Sequence, residues 1–245
     1  MALQAVLFDL DDTLLGNDTQ RFVERYFSLL SAYAAGRGDG MDNLLPDLLA
    51  STRAVLLDVD RTATNEAVFW SVFAHRLGRD AAEMKAFFQD FYREQFPTMR
   101  QVTQLRPIAR SLVRACFDRG LQVAIATHPL FPLDAIEQRL AWAGVPVTDF
   151  PYALITSYEV MHAAKPHRSY YQEILARLDC PPDRALMVGD DWENDMLPAA
   201  TLGMRAYWVT DSAEPPNPTA VEAWGNLEQF YGWFVAGGGE GTRRA

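Results

Sequence analysis

Val6-Leu7-Phe8-Asp9-Leu10-Asp11-Asp12-Thr13 is an apolar run that breaks into acids, and its reading decides the fold. A short apolar run closed by turn-forming residues reads as a buried strand that ends in a loop. Residues two apart on a strand share a face, so Asp9 and Asp11 start as neighbours. If the backbone unwinds at Leu10, the second carboxylate is re-aimed at the atom the first attacks. Asp-Asp-Thr alone is ordinary turn chemistry, so the pair gains its weight from the rest of the chain.

Three further polar elements follow, each after or beside an apolar strand-like run. They are Val123-Ala124-Ile125-Ala126-Thr127, then Lys165-Pro166, then Leu186-Met187-Val188-Gly189-Asp190-Asp191-Trp192-Glu193-Asn194-Asp195. Between them one rhythm repeats: strand, polar turn, amphipathic helix, glycine. Residues 107–119 read as a helix with Ile108, Leu112, Cys116 and Phe117 inward, closed by Gly120 before a strand at 121–126. Residues 132–143 read as a helix with Leu133, Ile136 and Leu140 inward, closed by Gly144. Residues 194–202 precede Gly203 and a strand at 205–209. Strands alternating with helices imply parallel βαβ units, hence an α/β fold with a doubly wound, Rossmann-like parallel sheet. Such sheets bind ligands at the carboxyl ends of their strands, where all four polar elements fall.

The segment 17–99 breaks the rhythm. It offers no strand but several helical faces: Phe22, Tyr26, Leu30 and Tyr33; then Val68, Phe69, Val72, Phe73 and Leu77; then Met84, Phe87, Phe88 and Phe91. Asp80 and Glu83 have the spacing of a capping box ahead of the last, and Leu44, Leu45, Leu48 and Leu49 flank Pro46 in a further helix. The aromatic stripe reads as core packing. The expected organisation is a core of 1–16 and 100–236, an inserted α-helical bundle at 17–99, and a flexible tail at 237–245.

The chain has 245 residues and a formal net charge of −10, with 22 Lys and Arg against 32 Asp and Glu. That balance argues against nucleic acid as the partner, because phosphate backbones are bound by clustered cations. It leaves room for an anionic small molecule, since a bound divalent cation inverts the local field. The two cysteines, Cys116 and Cys180, form neither a disulfide framework nor a metal motif. No secretory signal and no membrane-length apolar run is present, so a cytoplasmic protein without membrane contacts is expected. Nothing in the pattern assigns an oligomeric state.

The four polar elements in this order resemble the haloacid dehalogenase-like (HAD) hydrolase superfamily, in its phosphatase branch with an inserted helical cap. The resemblance covers nearly the whole chain. It implies Asp9 as nucleophile and Asp11 as general acid, then base. It implies Thr127 and the N–H after it as holders of a phosphoryl oxygen, and Lys165 as the cation steadying the transferring group. It implies Mg²⁺ held by Asp9, Asp190, Asp195 and the Asp11 backbone carbonyl, with Asp191 an alternative to Asp190. His128 has no family role and is a pocket-lining candidate. Among cations of the helical segment, Arg53, Arg61, His75, Arg76, Arg79 and Arg93 could meet an anionic substrate, although a solvated helix face accounts for most of them. The implied activity is hydrolysis of a small phosphorylated metabolite through an aspartyl-phosphate. The alternatives are phosphomutase chemistry and a catalytically quiet binding protein. Asp11 argues against dehalogenation, because a halide leaves without a proton.

Overall fold

The computed structural model describes residues 2–37 and 43–239. In chain order, β1 (Ala5–Phe8) and β2 (Leu15–Asn17) precede α1 (Thr19–Gly36), α2 (Leu44–Leu57), α3 (Asn65–Leu77) and α4 (Ala81–Glu94). β3 (Thr103–Leu105) then opens an alternating half: α5 (Ile108–Asp118), β4 (Gln122–Ile125), α6 (Leu133–Trp142), β5 (Leu154–Ile155), α7 (Arg168–Arg177) and β6 (Ala185–Gly189). It closes with α8 (Leu197–Thr201), β7 (Arg205–Val209), β8 (Ala223–Gly225) and α9 (Leu227–Val235).

Six strands form one parallel sheet in the order β5-β4-β1-β6-β7-β8. β1 and β6 are buried throughout, as parallel strands covered on both faces must be. Alternate residues of β1 divide between two apolar layers. Val6 and Phe8 face α5 and α9, with Phe8 edge-on to Phe230 at 6.1 Å, while Ala5 and Leu7 face α7 and α8. Phe8 pairs in register with both Ile125 and Val188, so β1, β4 and β6 end level with one another. Asp9, Thr127 and Asp190 therefore emerge together at one edge of the sheet, although 118 residues separate the first two in sequence.

The helices α1–α4 lie between β2 and β3, which pair antiparallel with Leu15 opposite Leu105 and Asn17 opposite Thr103. Their interior is aromatic. Tyr26 meets Phe91 at 5.7 Å and Phe131 at 5.4 Å, and its hydroxyl pairs with that of Tyr92 at 2.9 Å. That one hydroxyl pair satisfies both buried polar tips, which leaves the rings free to pack.

Three local readings change. Asn17, expected to open the helical segment, is the last residue of β2. Its backbone N–H donates to Asp12 Oδ1 at 3.1 Å and its Oδ1 accepts from the Asp12 N–H at 3.0 Å, which keeps the chain extended until Asp18 caps α1. Asp80 caps α4 as expected, but Glu83 pairs with Arg79 at 2.5 Å instead of completing a box. Gly237–Gly239, placed by the sequence in a flexible tail, turn back on the core. A Cβ at Gly238 would overlap Trp233, and the Gly239 carbonyl accepts from Arg205. The remaining tail residues lie outside the described ones. Both cysteines are buried, and burial raises both thiols, Cys116 to about 12, so neither is an activated nucleophile. Among the described residues no helix is long and apolar enough to cross a membrane.

Candidate active site

The site is built at the ends of β1, β4 and β6, with Lys165 brought to them by the segment before α7. The Asp9 N–H donates to the Val188 carbonyl at 2.9 Å, which carries the β1–β6 ladder to Asp9 itself. The chain then leaves the sheet: the Leu15 N–H closes back on the Leu10 carbonyl at 2.8 Å, with Asp12 in the left-handed region at φ 56°. Asp tolerates that conformation better than most side chains, since its short polar group bonds locally. The loop returns Thr13 to the site, where its hydroxyl donates to Asp190 Oδ1 at 2.9 Å.

Asp9, Asp190 and Asp195 present carboxylate oxygens within 4.8 Å of one another. Lys165 lies between two of them, with Nζ 2.6 Å from Asp9 Oδ1 and 2.6 Å from Asp195 Oδ1. Three of the four are out of solvent or nearly so, Asp195 at 0% exposure, Lys165 at 3% and Asp9 at 7%, while Asp190 is half-buried. Burial pushes Asp9 well above the carboxylate range, with Asp195, Asp190 and Asp11 adding like charge against the pull of Lys165. Burial and then Asp195 push Asp190 up to about 7. Burial opposes the charge on Lys165, but Asp195 and Asp9 overcome it and hold the ammonium well above its ordinary value. Three crowded carboxylates with one ammonium form a deficit of positive charge at the strand ends.

The tandem acids Asp190 and Asp191 separate by geometry. Asp190 joins the cluster, and its carbonyl is fixed by Trp208 Nε1 at 2.8 Å. Asp191 instead caps the turn at 192–196, accepting from the N–H groups of Glu193 and Asn194 at 2.9 Å each. Asp195 reaches the cluster because Gly189 has no side chain: a Cβ there would strike the Asp195 carboxylate. Thr127 is buried at the end of the β4 run. Its carbonyl accepts from Thr156 and Tyr170, both at 2.8 Å, which fixes the peptide behind its side chain. His128 beside it is mostly buried, and burial with the nearby Lys165 charge pushes it down to about 3, so it is neutral at pH 7.

Asp11 stands apart from the buried cluster. Its side chain is 27% exposed, with Oδ1 accepting from Asn17 Nδ2 at 3.1 Å and Oδ2 from Arg139 Nη1 at 2.5 Å. Arg139 is a partner the sequence reading missed. Its signal was present: it falls three residues after Ile136 and one before Leu140, on the inward stripe of α6, where a charge is out of place. Thr13, Asn17 and Tyr171 were also missed, since polar residues beside a loop or on an apolar face carry no distinctive spacing. Tyr171 donates to the Asn194 carbonyl at 2.5 Å and helps fix the turn that carries Asp195.

Most of the cations of the helical segment are engaged elsewhere. Arg76 pairs with Asp47 at 2.8 Å, Arg93 with Asp90 at 2.5 Å and Arg79 with Glu83, while Arg61 donates to the carbonyls of Asp58 and His162. Between these helices and Leu130–Pro132 of the core lies an apolar cavity of about 250 Å³, walled by Tyr26, Trp70, Phe88 and Phe131 among others.

A parallel sheet that gathers carboxylates and one buried lysine at the ends of its central strands defines a Rossmann-like enzyme core. The chain belongs to the haloacid dehalogenase-like hydrolases, whose family model matches residues 3–203. It is 30% identical to a phosphoserine phosphatase of Thermus thermophilus over 142 residues, 58% of this chain and 51% of that one. It is 26% identical to a ribulose-1,5-bisphosphate 5-phosphatase of Halopiger xanaduensis over 218 residues, 86% of each chain. A further match, haloacid dehalogenase-like hydrolase domain-containing protein 3 of Xenopus laevis, is aligned over 43% of its length, so the chain spans about half or less of two of these relatives. Among solved structures, a 2-haloacid dehalogenase of Pseudomonas syringae superposes with a TM-score of 0.65 at 20% identity, over 96% of this chain and 99% of that one. A HAD phosphatase of Thermococcus onnurineus superposes with a TM-score of 0.57 at 18% identity, over the same shares. Both chemistries share the fold, so the fold does not choose between them.

Proposed function

We propose that this chain is a Mg²⁺-dependent phosphomonoester hydrolase acting on a small phosphorylated metabolite through an aspartyl-phosphate on Asp9. The observation that carries the reading is Asp11, a partly exposed carboxylate two residues beyond a buried one. An alkoxide leaving group needs a proton and a halide does not, so a second acid at this position has work in one reaction only. The phosphatase names of two relatives point the same way.

A divalent cation suits the residues present. Three carboxylates with one lysine leave net negative charge where an anionic substrate must arrive, and the donor set is all oxygen, as Mg²⁺ prefers. Asp9, Asp190 and Asp195, with the Asp11 carbonyl, would hold it. When bound it supplies positive charge against the phosphoryl oxygens. The chain's own residues do the rest. An Asp9 oxygen attacks phosphorus, the ester P–O bond breaks, and its electron pair leaves on the alkoxide, which takes the Asp11 proton. Water then attacks the aspartyl-phosphate phosphorus and gives its proton to Asp11, and the P–O bond to Asp9 breaks to release inorganic phosphate. Lys165 steadies the transferring charge, Thr127 and the N–H after it hold a phosphoryl oxygen, and His128 stands beside them as a neutral wall. The helices of 17–99 act as a cap over the core of 1–16 and 100–236, which leaves the choice of substrate to the cap face.

The metal assignment has a pH signature. Between the ordinary carboxylate value of 3.8 and about 7, the unfolded chain has released a proton that native Asp190 keeps. Stability therefore falls as pH rises through that window. Within it a cation must displace that proton, so the rise in Tm on adding Mg²⁺ is expected to be larger at pH 8 than at pH 5.5. Equal shifts at both pH values would take Asp190 out of the ligand set.

The test of the activity is phosphate release from a panel of phosphorylated metabolites, with Mg²⁺ and with chelator. Metal-dependent release from a few chemically related members is the expected result. Transfer to a second hydroxyl without release would mark a mutase, and no turnover with Mg²⁺ bound would mark a quiet binding protein.

A further inference from the structure

The least economical residue in the molecule is Arg139. It is 2% exposed, its Cζ sits 4.8 Å from the centre of the Phe131 ring, and its Nε donates weakly to the Ala135 carbonyl at 3.4 Å. Nη2 is buried and has no hydrogen-bond partner. A buried charge with a donor left unmet is costly, and a methionine would fill the same space beside Phe131 without that cost. One anion answers it: Asp11, through Nη1 at 2.5 Å. The dependence runs in one direction. Asp11, at 27% exposure, can be hydrated without Arg139, whereas the buried guanidinium has no other carboxylate partner among the described residues. α6 thus spends a position on its apolar stripe to hold one carboxylate of the site.

The second hold on Asp11 comes from another element. Asn17 Nδ2 donates to Oδ1 while its backbone and Oδ1 are locked to Asp12, and Arg106 approaches Asp12 at 3.7 Å. Each oxygen of Asp11 therefore has its own donor, one from α6 and one from β2, and rotation about its side-chain torsions breaks at least one of them.

We propose that Arg139 is a positioning residue for Asp11, fixing the carboxyl group that gives its proton to the leaving alkoxide and regains one from the attacking water. This rests on the phosphatase reading above and goes beyond it by naming what aims the acid. Arg139 itself touches no reacting atom. Its effect therefore appears only where proton delivery limits the rate, with esters of poor leaving groups, and not with aryl esters whose anions depart unaided.

The experiment compares an alkyl phosphate with p-nitrophenyl phosphate for the parent, Arg139→Met, Arg139→Lys, Asp11→Asn and the Asp11→Asn/Arg139→Met double variant. Arg139→Met is expected to lower kcat on the alkyl ester by about 10- to 100-fold, a fraction of the roughly 10²–10⁴-fold that general acid catalysis supplies. On the aryl ester it stays within about threefold, with KM little changed on either. Arg139→Lys falls between, since an ammonium keeps the charge but not the planar fork. In the Asp11→Asn background, Arg139→Met adds no further loss, because its only route of action is gone. Equal loss on both esters, no loss, faster turnover, or an additive double variant would each overturn the assignment. If Arg139→Met does not fold, the alkyl-to-aryl ratio of Arg139→Lys decides: a ratio equal to the parent's overturns the proposal. A parent that releases no phosphate from either ester would instead remove the phosphatase reading and this inference with it, so the two failures are told apart by the parent alone.

Discussion

Asp9→Asn is expected to lose turnover by roughly 10⁴-fold or more while melting at or above the temperature of the parent. The amide has nearly the volume of the carboxylate and keeps an oxygen to accept from Lys165 Nζ, so packing and the 2.6 Å contact survive in kind. Nucleophilicity does not survive, because a neutral amide oxygen cannot form the acyl phosphate. The stability half of the prediction follows from charge. Native Asp9 is raised well above the carboxylate range first by burial and then by like charges, which means its ionised form is disfavoured where it sits. Replacing it removes a desolvated charge from beside Asp195 and Asp190, while Lys165 keeps Asp195 as its partner at 2.6 Å. Measured at pH 7.5 without metal, Tm is therefore expected to hold or rise; with Mg²⁺ the parent gains more than the variant, having one more ligand. Turnover within tenfold of the parent would take the nucleophile role from Asp9. A drop in Tm of more than about 4 °C, on the order of 1–2 kcal/mol for a chain this size, would show that the ionised carboxylate itself holds the fold.

The division between legible and illegible residues in this chain has a physical basis. Strand ends were legible because a buried parallel strand must be apolar on both faces, so the change from Val188 to Gly189-Asp190 or from Phe8 to Asp9 is abrupt in sequence. Once three such breaks and Lys165-Pro166 are in order, the parallel register brings them to one edge without further assumption. Helix stops were legible for a similar reason: Gly144, at φ 75°, occupies a conformation other residues rarely adopt. Arg139 and Asn17 were not legible in that way. Each acts on Asp11 across a loop or from a helix over a hundred residues away, and what fixes their role is packing, which no local period encodes. The choice between Asp190 and Asp191 was open for the same reason. Two adjacent acids look alike until the turn at 192–196 needs a cap, and Asp191 supplies it. At 192–196 the chain makes a wider turn before α8 begins at Leu197. That wider turn sets the Asp195 carboxylate against Gly189, where only a glycine leaves room.

Lys165→Met tests the other half of the site, and its expected effect on stability is the largest of any single change considered. The ammonium is 3% exposed and, among the described residues, is the one cation bonded to Asp9 and Asp195. Taking one member from a buried ion cluster costs roughly 3–5 kcal/mol, because the charges left behind keep their desolvation without their partner. Set against a total stability of about 5–15 kcal/mol, that is enough to bring the metal-free variant near its unfolding threshold at pH 8. The sign of the pH effect is fixed by the groups involved. Lys165, raised by Asp195 and Asp9 against burial, carries its charge in the parent at every pH from 5 to 9, so its contribution is present across that whole range. In the variant the orphaned carboxylates can escape only by binding protons, which is easier at low pH. The loss in denaturant stability is therefore expected to be distinctly smaller at pH 5 than at pH 8. Mg²⁺ should restore part of it at pH 8, since a divalent ion among the same carboxylates replaces the missing charge. Turnover is not expected to return with the fold, since the cation proposed to steady the transferring group is gone: a loss on the order of 10²–10³-fold even when the variant is held folded by metal. A variant that unfolds within 1 kcal/mol of the parent at pH 8 without metal would mean the three acids are already protonated in the native protein. In that case Lys165 would be a spectator to their burial, and its 2.6 Å contact with Asp9 would not be one between opposite charges.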